Sequence, residues 1–237
     1  MDLLKSQTNR ILIESHRGVE HTHPENSWPA IKTAQSEKAD FIEVDVQLSA
    51  DGVPFIRHNY TFPDGRWSHE LAWREIKSLR IEDEIIPSLQ DLINWACDED
   101  VRLSLDIKPG FHPFGRLSKQ ITAQIEAMQA WNRVMLIAWD HHELLEIKKS
   151  FPNSVTRILY FGRPVNLVET AKAANCNAVG LSYGVTRPED VSELHENGIA
   201  VAFGGMWNFD LEVVQELDVD IVSWGHPAQA REILGIS

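Results

Sequence analysis

The 237-residue sequence has only two cysteines, Cys97 and Cys176, and they lie far apart without CxxC spacing. That excludes a disulfide-stapled miniprotein and leaves a pair of reduced core thiols as the reading. No stretch approaches the ~18 apolar residues of a membrane span. Cations are scarce: 22 Lys and Arg face 35 Asp and Glu, a formal net charge of −13. This argues against a nucleic-acid partner, which needs clustered positive charge, and against docking on an anionic membrane. It leaves room for an anionic substrate, because a metal ion and a few cationic side chains reverse the sign locally. The start, MDLLKSQTNR, lacks an apolar signal core, so a cytoplasmic protein is expected. Linkers, low-complexity runs and sequence repeats are lacking too, which makes residues 1–237 one expected domain. No feature of the sequence sets an oligomeric state.

What is present is a rhythm. Short apolar runs at 11–13, 41–46, 102–107, 134–138, 156–159, 178–181, 199–203 and 219–223 alternate with longer helical patterns. Pro188 and Pro227 stand near helix starts, and Gly198 stands where a helix C-terminus favours positive φ. Eight strand–helix units in this length predict an α/β fold, the (β/α)8 TIM barrel, with an open doubly wound sheet as the rival. A short strand at 53–57 and a helix at 72–80 interrupt the rhythm, and the short segment 59–86 predicts little lid over the barrel mouth.

In a barrel, the C-terminal ends of the strands share one mouth. His16 and Arg17 end the first strand, Glu43 and Asp45 the second, and Asp106 and Lys108 the third; His58 ends the short strand that follows the second. Glu43 and Asp45 are two apart, so they share a face, and apolar neighbours in FIEVDV make their mutual repulsion costly. A hard divalent cation, with Asp106 as a third carboxylate, resolves that repulsion. Two histidines beside such a cation can serve as general base and general acid, and Arg17 and Lys108 can neutralise a phosphoryl group. Phosphoryl transfer suits so many cationic centres around one spot.

These residues resemble a known family. His16-Arg17-Gly18, Pro24-Glu25-Asn26-Ser27, Ala39 to Val46, Asp51 to His58, Ile86-Pro87-Ser88-Leu89 and Leu105-Asp106-Ile107-Lys108 look like the glycerophosphodiester phosphodiesterases. The resemblance is dense over residues 11–108 and thin beyond them. It implies a TIM barrel that hydrolyses small soluble phosphodiesters to an alcohol and a phosphomonoester. It implies one divalent cation, Mg²⁺ or Ca²⁺ with Mn²⁺ as a third choice, on Glu43, Asp45 and Asp106. It implies His16 and His58 as the acid–base pair, with His16 taken as base or nucleophile and His58 as acid, and Arg17 and Lys108 on the phosphate. The sequence departs from the family in three places: Asn59 where Asp usually follows the second histidine, Asp106 where the third ligand is usually Glu, and Ser223-Trp224 where the family closes with Thr-Asp.

Aromatics end several later strands: Trp139, Tyr160-Phe161, Tyr183, Trp207 and Trp224. Tyr183, Trp207 and Trp224 are the expected substrate-binding members of such a wall, which suits a flat or ring-shaped group beyond the phosphate. A sugar phosphodiester is therefore an alternative substrate, and a related lyase or phospholipase D-like enzyme that releases a cyclic phosphate is an alternative reaction. His21, His23, His141 and His142 read as rim or surface residues, and Lys148-Lys149 as a solvated face.

Overall fold

The computed structural model describes residues 1–205, 208 and 210–236. Eight parallel strands close on themselves: β1 (Leu12–Ser15), β2 (Phe41–Leu48), β3 (Leu103–Ile107), β4 (Val134–Ala138), β5 (Val155–Leu159), β6 (Ala178–Ser182), β7 (Ala200–Gly204) and β8 (Ile221–Ser223). Each pairs with its sequence neighbour, and β1 pairs with β8 as well as β2, which closes the TIM barrel. The helices that follow are α1 (Trp28–Ser36), α2 (Leu89–Asp98), α3 (Arg116–Ala127), α4 (His141–Ser150), α5 (Leu167–Ala173), α6 (Pro188–Glu196), α7 (Leu211–Leu217) and α8 (Pro227–Leu234). Ser27, Ser88, Asp140 and Asp210 cap α1, α2, α4 and α7 by accepting from first-turn N–H groups.

The period-2 alternation of the strands divides two cores. Residues such as Ile13, Val44, Leu105 and Leu136 point outward into the large core beneath the helices. Leu12, Phe41, Met135, Val155, Ala178, Ala200 and Ile221 point inward and fill the bottom of the barrel as an apolar plug. Above that plug, inward positions become polar: Glu14, Ser104 and Arg157, all buried. Higher still come Glu43, Asp45 and Asp106. In β2 the apolar residues after Phe41 therefore face the helices and the acids face the barrel axis.

Two local readings change. The helix expected at 72–80 is a single turn, Trp73–Ile76, followed by an antiparallel ribbon of Arg80–Ile81 with Glu84–Ile85. Left-handed Glu82 and Asp83 form the turn of that ribbon. Residues 54–87 form an excursion with its own small core of Phe55, Phe62, Leu71, Ile76 and Ile86. Its first strand, Pro54–Ile56, runs antiparallel to β2 and brings His58 beside the mouth. Lys148 is also not solvated: it is buried on α4 and its Nζ donates to the Ser154 carbonyl. Among the described residues no helix is long and apolar enough to cross a membrane.

Candidate active site

Glu43, Asp45 and Asp106 are buried, and one oxygen of each lies within 4.8 Å of the others. β2 and β3 put them there, with Asp45 directly beside Asp106 in register. Lys108 Nζ bridges Asp45 Oδ1 at 2.6 Å and Asp106 Oδ2 at 2.5 Å. The other Asp106 oxygen is buried with no hydrogen-bond partner. Burial and the Asp45 charge push the Glu43 carboxyl up to about 8. Burial also opposes charge on Asp45, but Lys108 and Arg17 hold its carboxyl below the usual range. Lys108 is raised above an ordinary lysine, because its two carboxylates outweigh its burial. Three oxygen donors, one of them orphaned and two, Glu43 and Asp106, pushed toward protonation by burial, fit a hard divalent cation.

The loop after β1 wraps this cluster. Arg17 takes a left-handed φ of 51°, so its main-chain N–H donates to Glu43 Oε2 at 2.9 Å. Its guanidinium reaches Glu25 at 2.5 Å and lies 3.3 Å from Asp45. Gly18 follows at φ 77°, and a Cβ there would sit 2.6 Å from the Ala30 carbonyl carbon, so α1 packs onto this turn only through a glycine. Asn26 fixes Asp45 twice, donating to its carboxylate at 2.7 Å and accepting from its main-chain N–H at 3.0 Å. His16 and His58 are both half-buried and both line the cavity that holds the three acids. His16 Nδ1 pairs with Glu20 Oε1 at 2.9 Å. Burial alone would lower its pKa, but Glu20 and the Glu43 charge outweigh that and raise it to about 9. His58 Nδ1 lies 3.1 Å from Asn59 Oδ1 and 4.0 Å from Glu25.

The profile of the glycerophosphoryl diester phosphodiesterase family matches residues 16–223. The chain belongs to this family of phosphoric diester hydrolases. It is 28% identical over 163 residues to a glycerophosphodiester phosphodiesterase of Caldanaerobacter subterraneus, covering 64% of this chain and 67% of that one. It is 24% identical over 177 residues to human glycerophosphodiester phosphodiesterase 1, covering 68% and 52%. The chain thus spans between about half and two thirds of the length of these relatives. Its fold is shared with an Oleispira antarctica phosphodiesterase solved with the product sn-glycerol-3-phosphate, at TM-score 0.86, 19% identity and coverage of 97% and 99%. It is shared too with a Parabacteroides distasonis glycerophosphodiester phosphodiesterase, at TM-score 0.85, 20% identity and coverage of 95% and 97%.

Within this family member, the two histidines, three acids, Arg17 and Lys108 all border one cavity of about 310 Å³. The cavity continues across the mouth to Trp139, Tyr160 and Phe161, and Trp139 stacks on Phe161 with ring centroids 3.7 Å apart. Beside it an open cleft of about 910 Å³ runs from Arg17, Glu25 and His58 to the Arg80–Ile85 ribbon. The other expected wall residues are placed differently. Tyr183 is exposed, with its ring 6.0 Å from Phe203. Trp224 is buried in the core beneath the helices, its ring 4.6 Å from His226. Trp207 lies outside the described residues. His21 stacks on His226 and meets the Gly225 carbonyl, and His23 meets Thr33. Glu20 and Arg157 were not singled out from sequence. Glu20 follows His16 by four residues in a loop without periodicity, and Arg157 sits in an otherwise ordinary β5 run.

Proposed function

We propose that the chain is a divalent-cation-dependent phosphodiesterase, one barrel domain over residues 1–237, that splits small phosphodiesters into an alcohol and a phosphomonoester. The observation that carries this reading is the convergence of Glu43, Asp45 and Asp106 with His16 and His58 around one cavity. Glu43, Asp45 and Asp106 would hold the cation, Mg²⁺ or Ca²⁺ ahead of Mn²⁺. Bound there, it supplies positive charge to the phosphoryl oxygens and draws electron density from phosphorus.

The chain's own residues do the rest. Glu20 accepts from His16 Nδ1, which leaves Nε2 to receive a proton from the attacking hydroxyl once a bound cation answers the Glu43 charge that helps to keep His16 protonated. A neighbouring hydroxyl of the substrate is one such attacker, with water then opening the cyclic phosphate. His58, which follows the short strand paired with β2, hands a proton to the leaving alkoxide. The Asn59 amide orients its Nδ1 without adding the negative charge that an aspartate would. Arg17 and Lys108 meet the phosphate charge as it builds.

The test is ³¹P NMR of the purified protein with Mg²⁺ and a panel of glycerophosphocholine, glycerophosphoethanolamine, a sugar phosphodiester and lysophosphatidylcholine. A monoester signal that a chelator abolishes is the expected result. A cyclic phosphate that persists assigns the chain to lyase chemistry instead. No turnover of any member with Mg²⁺, Ca²⁺ or Mn²⁺ sinks the reading.

A further inference from the structure

On β2 three polar side chains share one face at spacing two: Glu43, Asp45 and Gln47. The first two belong to the acid cluster, and the third takes no part in the chemistry. Gln47 is 3% exposed. Its side-chain nitrogen donates toward three successive carbonyls, those of Arg57 at 2.8 Å, His58 at 2.9 Å and Asn59 at 3.0 Å. An NH₂ group has two hydrogens, so the three acceptors share them. One orientation of the amide fits, since the reverse would set its oxygen against three carbonyl oxygens. Ser68, also buried, holds the far side: its hydroxyl donates to Gln47 Oε1 at 2.6 Å. The Ser68 main-chain N–H donates to the Tyr60 carbonyl at 2.8 Å, and Arg57 Nη2 to that of Thr61 at 2.7 Å. The five carbonyls from Arg57 to Thr61 thus each have a donor, and one side chain serves three of them.

Successive carbonyls of an extended chain point to opposite sides. Three aimed at one nitrogen mean that the chain curls at His58, where it leaves the short strand beside β2. The Arg57 N–H still donates to the Asp45 carbonyl at 2.9 Å. Beyond that bond the His58 imidazole is half-exposed, with Asn59 Oδ1 at 3.1 Å and Glu25 at 4.0 Å. Its main chain is held by the amide two residues along β2 from Asp45. We propose that Gln47 is a positioning residue for His58: through the three carbonyls it sets where the imidazole stands relative to the acid cluster, and Ser68 orients the amide that does so. The proposal deepens the phosphodiesterase reading and rests on it. A general acid must stay within hydrogen-bonding reach of the leaving oxygen, and a misplacement of about 1 Å can cost about a hundredfold in rate. Gln47 removes that freedom by tying the loop of the acid to the strand that carries two of the three carboxylates. A side chain of the same size without N–H groups would fill the space and release the loop.

The test uses the leaving group, because a general acid matters only where the departing oxygen needs a proton. Steady-state kinetics compare the alkyl diester that the wild type turns over fastest with its 4-nitrophenyl counterpart, whose phenolate leaves without one. Gln47→Met is expected to lower kcat on the alkyl ester by at least about thirtyfold and on the aryl ester by less than about threefold, with both KM values within about threefold of wild type. Ser68→Ala is expected to show the same pattern at about fivefold, and it carries the test if thermal unfolding shows that Gln47→Met fails to fold. Equal losses on the two esters in a folded variant indicate a general loosening of the site and overturn the proposal, as does no loss on either. If the wild type turns over no aryl ester, the ring C–H signals of the histidines in ¹³C-edited NMR decide. Those of His58 are expected to shift and broaden in the variant while those of His16 stay in place, and unmoved His58 signals overturn the proposal. A wild type that turns over no diester overturns the phosphodiesterase reading instead, and the NMR comparison, which needs no turnover, keeps the two failures apart.

Discussion

The two sides of the barrel mouth are built on different principles. On the side of β1 to β3, titratable groups are crowded together: His16, Arg17, Glu43, Asp45, Asp106 and Lys108, each held at a hydrogen-bonding distance from another or aimed at the common cavity. On the side of β5 to β8, the inward positions are Gly180, Ser182, Ala202, Gly204 and Ser223, with aromatics at the rim and Arg157 beneath. One side supplies particular atoms and the other supplies volume. Chemistry tolerates little change in the first, because a reacting group misplaced by an ångström loses its function. Shape tolerates more in the second, and the density of the family resemblance follows suit: it fills residues 11–108 and thins afterwards.

Substitution can break this contrast, and the largest effects belong to the crowded side. His16→Ala and His58→Ala are each expected to lower kcat on a glycerophosphodiester by about 10²–10⁴. Both side chains are half-exposed, so the unfolding temperature should move little. Phe161→Ala, on the roomy side, is expected to hold kcat within about threefold and act on KM, because Phe161 is 83% exposed and stacks on Trp139. Equal losses of kcat in His58→Ala and Phe161→Ala would erase the distinction. Next comes Lys108→Met, which strips buried Asp106 of its ion-pair partner and leaves Asp45 to Arg17 and Asn26. In chelator it should cost about 3–5 kcal/mol of stability by denaturant titration, and added Mg²⁺ should recover part of that.

A third expectation concerns pH. The Glu43 carboxyl is raised to about 8 in the folded chain. A raised group holds its proton in the folded state, so cation-free protein should lose stability from about pH 4.5 upward until Glu43 ionises near 8. A cation needs Glu43 ionised, so the rise in Tm on adding Mg²⁺ should be larger at pH 8 than at pH 5.5. A Tm increment independent of pH counts against Glu43 as a ligand. The smallest expected effect is that of Asn59→Asp. An aspartate beside His58 Nδ1 should raise the histidine's pKa and shift the alkaline limb of the kcat profile upward, with a change at the optimum of about fivefold or less.

The architecture was legible because the barrel strands are short apolar runs set apart by helices with clear caps, and because strand ends in a barrel share one mouth. The three acids were legible for a further reason: Glu43 and Asp45 interrupt an apolar run at spacing two, which only an inward polar face explains. What escaped depends on contacts between distant parts of the chain. Glu20 gains its role from the turn at Arg17 and Gly18, and an exposed glutamate in a loop carries no periodic signal. Arg157 and Glu14 are 143 residues apart, and each alone breaks the expectation for a buried strand. The 72–80 segment has helical composition, but packing of Leu71 and Ile76 against Phe55 ends the helix after one turn. Trp224 stood at a strand end, but Ser223 takes the inward position and the alternation turns Trp224 outward into the helical core.

The apolar plug at the bottom of the barrel has a kinetic consequence. Leu12, Phe41, Met135 and Ile221 close the lower end, and Leu3 and Leu4 pack against the same cluster from outside the strands. Among the described residues the cavity above this plug therefore opens at the mouth. Fuel and waste pass each other in it: the diester and its water go in where the alcohol and the phosphomonoester come out. Whichever product leaves last keeps the next substrate waiting, and on the proposed reading the monoester, which the charges of β1 to β3 would hold, is that product.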